Sequence, residues 1–430
     1  MTRRILGLMG VSLAVSVLAL LTAAMLGRSL GPVGMGGYQA IIRWTAVGTG
    51  VFGLSLGQAS AFLSSKPGVA FGSLVRNAMA TAFVQATALV LLGYLLGPSL
   101  YGNDGQVVNA GRLYLLFVPI ALTTDYLSQL ARARMRFAIF NAARLTQASL
   151  QSGLVLLLFA SGHASLLAVI GACLISYGVG LSVVAGYAFL DGWFRGRLDM
   201  ILLRRTLGYV ARIYPGVQAR DLNLYLDQLM MSVLLPLGSL GLYASAVSAA
   251  SVLRVGSSAF LYLAQPEVQA VSVSERRFVV IRLARLNLGI LLPAAAALAF
   301  AMPFVLPAVY GQEFAPAVPA AQILCLAVVI EGFGVAMGGV LIGTGRASVA
   351  TLWQLTSLVV SLITLLVWLP VGQILAAAWI SVLSYLIAAL GMAAAVARAE
   401  SIPFAELLLP RSAELRSAVR FVWRHRKVGQ

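Results

Sequence analysis

Pro98-Ser99-Leu100-Tyr101-Gly102-Asn103-Asp104 returns about 209 residues later as Pro307-Ala308-Val309-Tyr310-Gly311-Gln312-Glu313, with proline, tyrosine, glycine, an amide and an acid in the same order. Other anchors keep nearly the same offset. Gly36 and Tyr38 match Gly241 and Tyr243, while Arg136, Leu145 and Thr146 match Arg346, Leu355 and Thr356. Three matches in register point to two fused copies of one unit. Each copy carries six long apolar stretches, so the repeated unit is a bundle of membrane helices. Two related halves that rock around a central site are an organisation typical of transporters.

Composition requires the same solvent. With 60% hydrophobic residues, 10% charged and a mean hydropathy of +0.93, the chain has more apolar surface than a soluble core can hide. A membrane helix takes about 20 apolar residues. Such spans are predicted near 5–27, 38–63, 76–97, 113–131, 142–161 and 165–190, and again near 215–237, 240–264, 286–308, 319–343, 348–369 and 373–397. The first is longer than the roughly 7–15 apolar residues of a signal-peptide core, which predicts a retained helix. The expected organisation is an all-α integral membrane protein. It comprises a six-helix lobe over 1–190, a cytoplasmic connector over 191–212, a second six-helix lobe over 213–397 and a basic cytoplasmic tail over 398–430.

Lys and Arg beside short loops stay on the cytoplasmic side, and twelve spans with the N-terminus inside obey that rule throughout. The inner segments hold Lys66, Arg76, Arg132, Arg134, Arg136, Arg144, Arg195, Arg197, Arg204, Arg205, Arg276, Arg277, Arg282, Arg285 and Arg346, besides the basic residues of both termini. The net charge of +17 therefore reflects topology and contact with anionic inner-leaflet lipid rather than nucleic acid. In the tail, Leu415, Val419 and Val422 recur at helical spacing among Arg411, Arg416, Arg420, Arg424, Arg426 and Lys427. This reads as an amphipathic helix on the inner leaflet, with docking of other assembly proteins as a second role.

The outer connections are too short to fold into a domain. An enzyme acting on sugars there would need acids or histidines placed for proton transfer, yet only Asp104, His163 and Glu313 are outside, on different loops. Asp104 and Glu313 read as groups that cap or position their Tyr-Gly turns. Cys173 and Cys325 lie inside separate spans as packing residues. His163 and His425 fall on opposite sides of the membrane, so no metal cluster is expected. Gly343-Thr344-Gly345-Arg346 lacks the spacing and the Lys of a phosphate-binding loop. No cofactor is expected. Gly53 with Gly57, Gly334 with Gly338 and Gly339 with Gly343 place small residues four apart, which lets helices approach closely.

Candidate chemistry rests on charges inside the spans, each costing about 2.5–3.5 kcal/mol at the bilayer centre. Arg43 lies roughly 7 Å below the outer mouth of span two and Arg254 roughly 21 Å below that of span eight, at 1.5 Å per residue. Arg28 stands at the outer end of span one. Together they could line one cavity and bind an anionic headgroup. Asp125 in span four, Asp227 in span seven and Glu331 in span ten are candidates for cavity lining, pairing with arginines, or coupling to H⁺ or Na⁺. Glu331 has no basic residue within a turn or two on its own span, which favours ion coupling there.

Gly27-Arg28-Ser29-Leu30-Gly31-Pro32 leading to Gly36-Gly37-Tyr38, and Asp227-Gln228-Leu229-Met230-Met231 followed by Leu237-Gly238-Ser239-Leu240-Gly241-Leu242-Tyr243, resemble the polysaccharide-export flippases (Wzx-type) of the multidrug/oligosaccharidyl-lipid/polysaccharide superfamily. The resemblance covers 1–397 through short motifs. It implies two six-helix lobes in a V shape and a substrate of undecaprenyl-diphosphate-linked oligosaccharide, moved from the inner to the outer leaflet of a bacterial plasma membrane. Arg28, Arg43 and Arg254 are similar in placement to the cavity arginines of the related lipid II flippases. Those usually have fourteen spans, so twelve favours the O-antigen and exopolysaccharide branch. A drug or metabolite cation antiporter of the same superfamily, which would want an acidic cavity, and a membrane glycosyltransferase or polymerase are the other readings.

The topology is directly testable. Reporter fusions after residues 64, 135, 200 and 345 should report cytoplasm and fusions after 103, 163 and 311 the outside, with both termini inside. An odd number of crossings refutes the two-copy reading.

Overall fold

The computed structural model describes residues 2–64, 66–101, 104–254, 256–257, 264, 267–269 and 271–408. Among these residues all regular structure is helical. Seven helices are long and apolar enough to cross a membrane, and two exceed a single crossing: Thr2–Gly53 and Ala347–Ala399 run 52 and 53 residues where about 20 suffice. Each contains one non-helical residue, Gly31 at φ 62° just before Pro32, and Gln373 at φ 48° shortly after Pro370. In the second case the Ser357 and Ser384 hydroxyls lie 2.8 Å apart and Gly391 abuts Trp353, so the two arms run antiparallel. Dividing both helices and adding Phe137–Ala160, Met200–Leu234 and the shorter Leu237–Leu253 gives the twelve crossings expected.

Some boundaries differ from the hydropathy reading. Span four is two pieces, Gly105–Tyr114 and Phe117–Ala133. Span seven belongs to a helix that starts at Met200, inside the expected connector, because Asp199 caps it by accepting the Leu202 amide at 2.9 Å. Hydropathy marks where lipid contact begins, whereas a helix starts where its first amides find acceptors. The rest of the connector is well packed: Trp193 is buried, it donates to Asp191 at 2.7 Å, and Asn77 exchanges two hydrogen bonds with the Asp199 backbone.

Spans four and ten close alike at their inner ends. After span four, the Met135 and Arg136 amides reach back to Arg132 and Ala131; after span ten, those of Gly345 and Arg346 reach back to Ile342 and Leu341. Both ends carry a left-handed residue, Met135 at φ 59° and Gly345 at φ 78°, which is the Schellman close of a helix. Asp104 caps Gly105–Tyr114 by accepting the Gln106 amide at 2.8 Å, as the turn chemistry predicts.

Packing separates two compact units, Met1–Ser245 with Val309–Glu313, and Ala246–Ala308 with Phe314–Gln430. The division falls in span eight rather than at the repeat boundary, because the start of span eight packs on span two within the first unit. There Gly36 and Gly241, equivalent by repeat, face each other. A Cβ on Gly36 would fall 1.8 Å from the Leu237 carbonyl oxygen, and one on Gly241 1.9 Å from that of Pro32. The second unit has a continuous core of Val280, Leu283, Phe333, Met337, Val340, Met392 and Val396. The chain after span twelve docks there: Leu407 is buried, and Arg285 and Arg277 bond Glu406 through its carbonyl oxygen (3.0 Å) and carboxylate (3.4 Å). The basic residues 411–427 lie outside the described residues.

Gly36→Ala or Gly241→Ala should destabilise the protein by about 1–3 kcal/mol through overpacking, seen as a lower unfolding midpoint in detergent. Gly171→Ala, where a Cβ meets open space, should leave the midpoint unchanged.

Candidate functional site

Within the first unit, span seven opens with polar residues at helical spacing. Tyr225, Gln228 and Ser232 share one face, and that face meets span two. Arg43 donates through Nε to Gln228 Oε1 at 2.9 Å and lies over the Tyr225 ring at 4.7 Å. The neighbouring Trp44 indole donates to Ser232 Oγ at 2.9 Å. This grip uses the Nε and the face of the guanidinium. Its two terminal nitrogens have no partner among the described residues. The Tyr114 and Tyr177 hydroxyls lie within Coulombic range of the Arg43 charge, and their rings are fixed by Phe117, which stacks on Tyr114 and meets Tyr177 edge-on. One cation and two phenol donors on rigid side chains, none neutralised by a carboxylate among the described residues within hydrogen-bonding distance, suit an oxyanion.

The other candidates in this unit have different surroundings. Asp227 is buried, accepts the Tyr243 hydroxyl at 2.5 Å and accepts its neighbour Gln228's amide at 2.7 Å. This bond joins two residues of one sequence motif and ties span seven to span eight. Arg28 is exposed and donates through Nε to the Val309 carbonyl at 2.9 Å, which binds span one to the second Tyr-Gly turn. Asp125 is exposed, holds the Gln129 amide at 3.2 Å, and lies against Gly57. Gln129 in turn accepts from Arg132. Gly53 and Gly57 meet Leu122 and Gln129 of span four, but they do not share one helix face as expected: the first helix ends at Gly53 and the next starts at Leu56, after Leu54 and Ser55 at φ 52°.

In the second unit, Arg254 and Glu331 form an ion pair at 2.8 Å, with the two side chains 29% and 13% exposed. The partner for Glu331 thus comes from span eight, where a search along its own span finds none. Nearby, Ser257 Oγ and Asn287 Oδ1 are buried without a hydrogen-bond partner among the described residues, and Asn287 donates to the Gly332 carbonyl at 3.4 Å. Gly332 is required there, since a Cβ would lie 2.5 Å from Ser257 Oγ. Gly334 and Gly338 pack on Ala389 and Met392 of span twelve. Among the described residues no group of three His, Cys, Asp or Glu gathers.

Sequence reasoning singled out Arg43, Arg254, Asp227 and Glu331 but missed Tyr225, Gln228, Tyr114, Tyr177, Ser257 and Asn287. The stripe on span seven was detectable from its 3.6-residue period. The other residues required knowledge of which helices touch. A double-mutant cycle of Arg254→Gln and Glu331→Gln should give a coupling energy of about 0.5–3 kcal/mol, measured by denaturation in detergent, with each single variant less stable than the pair removed together. Additive effects would mean that the ion pair contributes nothing.

The chain matches no protein-family model, and no curated protein matches it in sequence. Solved structures do match. An inward-facing multidrug resistance MATE family transporter of the MOP superfamily superposes with a TM-score of 0.74 at 14% identity, over 91% of this chain and 95% of its own. The lipid II flippase MurJ in an inward closed conformation gives 0.73 at 13% identity, over 96% and 90%. A eukaryotic MATE transporter gives 0.67 at 17% identity, over 98% of both chains. The twelve-helix chain is therefore built on the fold shared by these MOP-superfamily transporters and flippases.

Proposed function

We propose that the protein is a flippase that carries an undecaprenyl-diphosphate-linked oligosaccharide, an O-antigen or exopolysaccharide repeat unit, from the inner to the outer leaflet by alternating access. The observation that carries this reading is Arg43: a cation within a membrane span, fixed through Nε and its face, with its terminal nitrogens and two tyrosine hydroxyls left for an anion. A MOP-type transporter or flippase is what the fold supports, and the MurJ likeness makes a lipid-linked substrate the natural anion. In the same unit Arg28, at the outer end, is also assigned to the headgroup; in the second unit Arg254, held by Glu331 in this conformation, is assigned as a substrate-binding cation in its own right. Asp125, Asp227 and Glu331 are assigned to ion coupling or cavity lining. The polyprenyl tail would stay in lipid while the polar head crosses.

A diphosphate carries about two negative charges, and 100 mV, inside negative, is worth about 2.3 kcal/mol per charge, so outward movement is favoured by roughly 4–5 kcal/mol. H⁺ or Na⁺ coupling would add to this. The MATE likeness keeps a cation antiporter as the competing reading. Against it stand the Arg43 cluster and the commitment of Glu331 to Arg254.

The test is export of lipid-linked glycan in cells and flipping in proteoliposomes. Arg43→Ala should lower flipping by about 100-fold, the worth of a charge-assisted contact of roughly 3 kcal/mol, at normal membrane abundance. Arg43→Lys should recover only part, because Lys cannot reproduce the planar fork. Wild-type activity in Arg43→Ala, or transport of organic cations by the native protein, would reverse the assignment.

A further inference from the structure

Span five carries a stripe that the Arg43 cluster leaves unused. Phe140, Arg144, Gln147 and Gln151 follow one another at intervals of four, three and four residues, which puts them on one face of the helix Phe137–Ala160. At its inner end the stripe meets span four across a single ring. The Arg144 guanidinium lies 5.3 Å from the centre of the Phe140 ring, and that of Arg132, from the last turn of span four, lies 5.0 Å from it. Arg132 shares a face with Gln129 and Asp125, and both of those abut Gly57 of span two. This face therefore turns toward other helices of the first unit. Arg134 is taken up elsewhere, over Phe71 at 3.6 Å and 3.9 Å from the Asp191 carboxylate.

Further out, the stripe is joined to the Arg43 cluster. Gln147 donates to Gln151 Oε1 at 2.9 Å, and Gln151 donates to Cys173 Sγ of span six at 3.3 Å. The Tyr38 hydroxyl of span two lies 3.6 Å from the same sulfur. Gly180 lets span six approach here, since a Cβ on it would fall 3.0 Å from Gln147 Cβ. Tyr38 is in Coulombic range of Tyr114 and Tyr177, the two phenols near Arg43. Polar groups thus succeed one another from two arginines at the inner end, through two neutral amides, to the outer cation. Phe140 to Gln151 alone covers roughly 16 Å at 1.5 Å per residue.

Two guanidiniums held beside one ring repel each other, and an anion between them relieves the repulsion. Their planar forks match phosphate oxygens. We infer that Arg132 and Arg144 form an inner phosphate station, where the diphosphate of the lipid-linked substrate is taken up before it reaches Arg43, with Gln147 and Gln151 lining the way between. This rests on the flippase reading and adds a second binding place to the same unit. The amides hydrogen-bond a phosphate or a sugar hydroxyl more weakly than a cation would, so they pass a headgroup on rather than retain it.

The station is tested with a thiol placed just beyond it. With Cys173 and Cys325 replaced by Ala, Gln147→Cys is treated in inside-out vesicles with an anionic and a cationic methanethiosulfonate, each rate normalised to that of a free thiol. The anionic reagent should react about tenfold faster, as cationic focusing predicts, and inorganic diphosphate should slow it. Adding Arg132→Gln with Arg144→Gln should remove both the preference and the protection. Arg132→Lys with Arg144→Lys should keep the preference and lose most of the protection. Geranyl diphosphate should protect at least as well as inorganic diphosphate, and protection by the inorganic ion alone would overturn uptake of a lipid-linked headgroup there. In proteoliposomes the Gln pair should raise the KM for flipping about tenfold with little change in maximal rate. A thiol that reacts with neither reagent, reacts equally with both, or gains no protection from diphosphate overturns the station. Flipping of lipid-linked glycan without such protection leaves the flippase reading standing alone. Protection without any flipping refutes the flippase reading and leaves a phosphate site.

Discussion

In hydrocarbon a polar group has no water to fall back on, and the arrangement of this chain follows from that shortage. Backbone amides and carbonyls vanish into helices, and at several helix ends a specific group takes up what the stop releases. Asp199 and Asp104 accept amides at helix starts, Tyr126 and Tyr214 cover carbonyls at the break in span two, and paired left-handed turns close spans four and ten. The charges obey the same rule. Glu331 sits on Arg254, Asp227 under Tyr243, and Arg28 on the Val309 carbonyl.

Against that background Arg43 stands apart. It is anchored through one nitrogen and one face, and the rest of its donor fork is unused among the described residues. A cation kept in a span without a counter-charge in contact is costly, and that cost is intelligible where an anion arrives during each cycle to share it. The tyrosines near it add hydroxyl donors without adding charge, which suits an oxyanion.

The fold was legible because its signals are long. Twelve apolar runs, the alternation of arginines and the recurrence of Pro-x-x-Tyr-Gly all persist across many residues, while boundaries moved where a cap such as Asp199 outran hydropathy and where span four divides after Tyr114. The site was legible only as isolated charges. Glu331 looked unpartnered along its own helix because its partner is 77 positions away on span eight. Tyr114 and Tyr177 carry no mark in the sequence that separates them from packing aromatics.

The inner ends of spans four and ten close with the same hydrogen bonds, yet one places Met135 and the other Gly345 at the left-handed position. A Met there is the poorer choice for the local backbone, and its persistence means the surrounding bonds dictate the conformation before the side chain does.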